Sequence, residues 1–122
     1  MERLLYIGAA AAGFLGVAFG AFGAHALRAK LSPEMLAVFE TGVRYQLYHA
    51  LAIVVTGLIA GRMGGWLIVS AGWFLTAGIV LFSGSLYLLV FTGVTRFGAI
   101  TPIGGVAFLL GWACLALAAA SA

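Results

Sequence analysis

Only nine charged side chains occur in this 122-residue chain, six basic and three acidic. Glu2, Arg3, Arg28, Lys30, Glu34, Glu40, Arg44, Arg62 and Arg96 cut the sequence into long uncharged runs, of which residues 63–95 are one. Hydrophobic residues make up 65% and charged residues 7%, whereas about a quarter of an average soluble domain is charged. A domain of this size buries only ~60–70% of its surface. It could not hide so much apolar side chain from water, so the solvent expected around it is lipid.

A helix needs ~20 mostly apolar residues to cross a ~30 Å hydrocarbon layer. Four segments qualify: 4–24, 45–60 as the end of a helix starting near residue 33, 66–91 and 103–120. They predict an all-α, integral membrane, up-and-down four-helix bundle, with residues 1–122 as one transmembrane domain. The first run ends in Ala24-His25-Ala26, a small-x-small pattern that invites a leader-peptide reading. Its apolar stretch exceeds the ~7–15 residues of a leader, and Met-Glu-Arg lacks the positive start, so it reads as a span. Cys114, the one cysteine, has no partner for an intramolecular disulfide and reads as a small packing residue.

The segment between the first two spans carries a helix start. Ser32 can cap a free amide, Pro33 suits the first helical position, and Glu34 complements the positive helix end. At ~100° per residue, Met35, Leu36, Phe39, Gly42, Val43, Gln46, His49, Ile53 and Thr56 share one face, while Glu40, Arg44 and Tyr48 share the other. Glu40 precedes Arg44 by four residues, the order that favours an interfacial ion pair.

Small residues recur at packing intervals. Gly8, Ala12, Gly16, Gly20 and Ala24 form a stripe of four-residue spacing that contains Gly16-x-x-x-Gly20, a pattern that lets helices approach closely in membranes. Ser70, Ala77 and Gly84 in the third span, and Gly104, Gly111 and Ala118 in the fourth, repeat at seven residues, which suits left-handed bundle packing. Trp66 and Trp112 read as interface anchors and Trp73 as an interior residue.

Polarity inside the spans gathers on one side. With alternating directions, His25 at the exit of the first span and His49 after entry into the second fall in one leaflet. Ser83, Ser85, Tyr87 and Thr92 end the third span there, and Thr101-Pro102 opens the fourth. His25, Gln46, His49, Ser83 and Tyr87 are therefore the candidate polar cluster. Arg28, Lys30, Arg44 and Arg96 on that side outnumber Arg3 and Arg62 on the other, so positive-inside counting sets loops 1 and 3 in the cytoplasm. For a bacterial chain the membrane would be the plasma or inner membrane.

GAFGAHAL, YQLYHALA, FSGSLYLL and TPIGG occur in that order across nearly the whole chain. In this combination the sequence resembles the family of small four-helix membrane proteins called domain of unknown function 423, to which a small human transmembrane protein is also similar. The resemblance implies an integral membrane protein and supplies no reaction, cofactor or binding residue.

The residues themselves separate the function classes. Ser83 or Ser85 with His49 could be drawn as a nucleophile and base, but no carboxylate within the spans would orient the histidine. His25 and His49 are two strong metal ligands, short of the three common in catalytic zinc sites, and no cofactor is expected. Two histidines in one leaflet could also be drawn as axial haem ligands, although structural roles are commoner for such residues. The basic residues are scattered, which fits lipid headgroups and not nucleic acid. The expectation is a non-enzymatic accessory or interaction subunit, whose partners are membrane lipid and either another membrane protein or a second copy of itself. The alternative is a homo-oligomeric path for protons or small solutes lined by the polar cluster.

Overall fold

Ser32 opens the longest helix as its extended backbone requires: its side chain accepts from the Met35 amide at 3.2 Å, Pro33 follows at the first helical position, and Glu34 lies in the first turn. The computed structural model describes residues 2–122. It contains four long helices, α1 (Glu2–Leu27), α2 (Pro33–Met63), α3 (Trp66–Thr92) and α4 (Thr95–Ala120), each long and apolar enough to cross a membrane. At 31 residues α2 is ~46 Å long, so its first turns extend past the hydrocarbon. The α4 helix starts with a 3-10 turn, Thr95–Ala99, and becomes regular over Thr101–Ala120.

Only Gly64 and Gly65 separate α2 from α3. Both have positive φ (69° and 91°), a region that costs side-chain-bearing residues dearly, and this permits the reversal in two residues. Sequential neighbours pack antiparallel: α1 along α2, α2 along α3, and α3 most extensively along α4. Three apolar clusters fill the bundle in turn. Phe39, Val43 and Val90 lie nearest loops 1 and 3; Leu5, Ala9, Ile53, Leu75 and Phe108 come next; Ala60, Ile68 and Ala118 close the far end. Outward faces stay apolar, with Phe14 76% and Leu109 69% exposed, as a lipid solvent permits and water would not.

Two helices contain a π turn, Phe19–Gly23 in α1 and Ile79–Ser83 in α3. The extra residue resets the helical phase. In α3 the core positions Ile68 and Leu75 are seven apart, as are Ser83 and Val90, yet Leu75 and Ser83 are eight apart, and all four are buried. In α1 the four-residue spacing of Gly16, Gly20 and Ala24 would drift by ~40° per step on a regular helix; the wider turn takes back part of that drift.

Glycines set how closely the helices meet. A Cβ on Gly16 would lie 2.7 Å from Leu47 Cδ2, and one on Gly20 3.1 Å from Val43 Cγ1, whereas Gly8 has nothing within 4 Å. In α4, Gly104, Gly111 and Ala118 are all buried. The matching stripe in α3 does not face inward. Ile68, Ala71, Gly72, Leu75 and Gly78 are buried, while Ser70 and Ala77 line an outward depression with Trp73. Trp73, expected in the interior, is therefore on the outer surface at 36% exposure, because Gly72 and Leu75 occupy the contact face beside it.

Gly104 and Gly105 separate packing from propensity, since only a Cβ on Gly104 would overlap the Phe82 backbone. Gly104→Ala is expected to destabilise the bundle by about 1–3 kcal/mol through overpacking. Gly105→Ala, with open space around it, should be neutral or stabilising by up to ~1 kcal/mol. Thermal unfolding of both variants in mild detergent measures the contrast.

Candidate interhelical polar site

Gln46 faces inward from α2 and is 4% exposed. Its Nε2 donates to the Ala12 carbonyl of α1 at 2.7 Å, and its Oε1 accepts from the Tyr87 hydroxyl of α3 at 2.6 Å. A carbonyl can only accept, so this orientation of the amide is the one that satisfies both ends. Two glycines give access. A Cβ on Gly16 would lie 2.7 Å from Leu47 Cδ2, next to Gln46 in the chain, and one on Gly42 2.9 Å from the Tyr87 ring. Beside them Ser83 Oγ donates to the Gly42 carbonyl at 2.6 Å, tying α3 to α2 a second time.

His49 turns instead toward α4. Trp112 Nε1 donates to His49 Nε2 at 3.1 Å, and His49 Nδ1 lies 2.7 Å from the Tyr45 carbonyl. Indole N–H is only a donor, so Nε2 accepts and Nδ1 carries the proton: the ring is held neutral in the Nδ1–H tautomer. Phe108 stacks on it with centroids 3.6 Å apart and planes 11° from parallel. A third link joins α3 to α4, where Ser85 Oγ donates to the Phe82 carbonyl and so accepts from Thr101 Oγ1 at 2.6 Å.

The five residues of the candidate cluster are thus distributed over three places. Gln46, Ser83 and Tyr87 meet where α1, α2 and α3 converge; His49 belongs to a separate contact with Trp112; His25 is exposed at the end of α1. Thr76 back-bonds to the Gly72 carbonyl of its own helix at 2.8 Å, and the π turn puts it out of phase with Ser83. The Glu40–Arg44 ion pair is not formed. Arg44 Nη2 donates to Thr41 Oγ1 at 3.2 Å, and an exposed pair worth only a few tenths of a kcal/mol is easily displaced by such a contact. Ser83 spends its proton on Gly42, so no Ser83–His49 pair exists. Among the described residues, no three His, Cys, Asp or Glu side chains are grouped to hold a metal ion.

Sequence reasoning did not connect Trp112 or Thr101 with their partners. Trp112 lies 63 residues from His49, and its indole reads equally well as an anchor at the membrane surface. Between α2 and α4 the aromatic contact leaves a groove of about 580 Å³ that opens sideways.

Helices that satisfy their buried polar groups on one another, with apolar faces outward, define a small polytopic α-helical membrane protein. The family model described as "Protein of unknown function (DUF423)" matches residues 19–105. A "UPF0382 membrane protein YwdK" of Bacillus subtilis is 47% identical over 120 residues, covering 98% of this chain and 97% of that protein. UPF0382 membrane proteins of Staphylococcus aureus and Staphylococcus epidermidis are 46% and 47% identical over 121 residues, each covering 97% of this chain and 95% of the relative. No solved structure matches. The chain belongs to the DUF423 family.

The Gln46–Tyr87 bond should be measurable by a double-mutant cycle. Tyr87→Phe leaves Gln46 Oε1 without its partner, and Gln46→Leu removes both of its bonds. Each is expected to destabilise, with a coupling of about 0.5–2 kcal/mol. Detergent-titration unfolding in bicelles reads it, and additive effects would mean that the bond contributes nothing.

Proposed function

We propose that this protein is a non-enzymatic interaction subunit of the membrane, a rigid bundle that presents its outer helix faces to another membrane protein or to a second copy of itself. The observation that carries this reading is the commitment of the intramembrane polar groups. Both ends of the Gln46 amide and both nitrogens of His49 are engaged between helices. Every buried polar side-chain atom among the described residues has a partner. Groups held this way rigidify a bundle; a conducting path needs groups that exchange partners with water or solute. Toward the other leaflet, Thr56 and Thr76 bond to carbonyls of their own helices, which leaves little to continue a polar route.

The outer face of α3 supports the contact role. Ser70, Trp73, Phe74 and Ala77 border a depression of about 330 Å³, and Gly84 farther along has open space where a Cβ would be. Small residues on an outward face let a foreign helix come close. We orient the bundle with loops 1 and 3 in the cytoplasm on the positive-inside count, in the plasma or inner membrane of a bacterial cell.

Native mass spectrometry from lipid nanodiscs is expected to give a dimer or a defined larger assembly. Ala77→Trp should reduce it to the single chain while leaving the thermal midpoint unchanged. A lone monomer under several gentle extraction conditions would sink the proposal. His49→Ala is expected to leave proton and solute flux of reconstituted vesicles unaltered, and a changed flux in a folded variant would favour a pathway instead.

A further inference from the structure

The backbones of α2 and α4 make little direct contact; aromatic side chains bridge the space between them. Tyr45, Tyr48, Pro102, Gly105, Leu109 and Trp112 line the groove that results, and its wall is almost wholly apolar. Pro102, Gly105, Leu109 and Trp112 follow one stripe of α4, so the groove runs ~15 Å along that helix from the loop 3 side toward the membrane interior. The space opens sideways to hydrocarbon chains.

A cation neighbours its α2 wall along the helix, outside the lining residues themselves. Arg44 is exposed, precedes Tyr45, and shares a face with Tyr48 one turn on. Its guanidinium folds back to Thr41, toward the headgroup end of α2, as a snorkelling arginine does. It has no carboxylate partner among the described residues, and one hydroxyl leaves most of its five donors open to an anion. Planar guanidinium donors match phosphate oxygens two at a time.

We propose that the groove between α2 and α4 seats one anionic phospholipid, with an acyl chain lying along α4 from Pro102 to Trp112 and the phosphate held by Arg44. The assignment goes beyond the interaction-subunit reading and does not depend on it. Charge toward the headgroup end and an apolar groove below it are complementary to the two halves of such a lipid.

Trp112 at the inner end reports occupancy. In a Trp66→Phe, Trp73→Phe chain, Trp112 is the remaining tryptophan, and phospholipids brominated at mid-chain quench it on contact. Phosphatidylglycerol so labelled is expected to quench at about fivefold lower mole fraction than labelled phosphatidylcholine, the advantage of one basic residue facing an anionic headgroup. Arg44→Gln should bring the two lipids together. Gly105→Leu, whose side chain enters open space, should plug the groove and reduce quenching by both at unchanged helicity. Equal quenching in the parent, or a preference that survives Arg44→Gln, would overturn the proposal. So would a Trp112 shielded from both lipids, which would mean that protein covers the groove. Native mass spectrometry of the unsubstituted protein from mixed phosphatidylglycerol and phosphatidylcholine nanodiscs is an independent check. Retention of phosphatidylglycerol that is lost in Arg44→Gln is expected, and retention blind to headgroup would refute it.

Discussion

Hydrocarbon offers no hydrogen bonds, and the rest of the molecule is arranged around that deficit. Backbone groups are satisfied inside helices, so the remaining demand comes from a handful of side chains. Gln46 alone meets it by joining three helices, with one end on a carbonyl of α1 and the other on a hydroxyl of α3. Glycine has to stand at Gly16 and Gly42 for those groups to come within reach. Hydrogen bonds and close packing are therefore one device, since the contacts that supply dispersion energy also bring donor to acceptor.

The α2–α4 pair follows a different rule. Where α3 and α4 meet backbone to backbone at Gly104, α2 and α4 are held apart by His49, Phe108 and Trp112. The His49 ring is fixed by a donor, an acceptor and a stacked neighbour, so its tautomer is set by position and not by solvent. Spacing the helices with rings also leaves the lateral groove, a consequence of filling a gap with flat side chains.

Much of the fold was legible because lipid writes in large letters. Uncharged runs gave four spans, Ser32-Pro33-Glu34 marked where α2 begins, and its inward face was readable from Phe39 to Thr56 because that helix is regular throughout. The polar residues of the site were legible as a list, but their partners were not. Nothing local distinguishes Gln46, which binds across to Tyr87, from His49, which binds across to Trp112 on another helix; that choice depends on helix rotation. Rotation differs from expectation in α3, where Trp73 lies on the outer surface and Ser70 and Ala77 face away from the bundle. Before the π turn both faces of α3 are apolar, so periodicity does not say which one packs; beyond it the phase shifts with no side-chain signature in IVLFS.

That turn also absorbs a residue of chain length. Between Leu75 and Ser83 the helix carries one residue more than a regular α-helix would need to keep one face inward, and the wide turn takes up the surplus so that Ser83 and Val90 stay buried. Wound as a regular helix, the same residues would swing Ser83 and Tyr87 by ~100° away from Gly42 and Gln46, whereas excising one residue within the turn would leave their heading nearly unchanged. In this bundle, imperfection at one turn is what aims the far half of the rod.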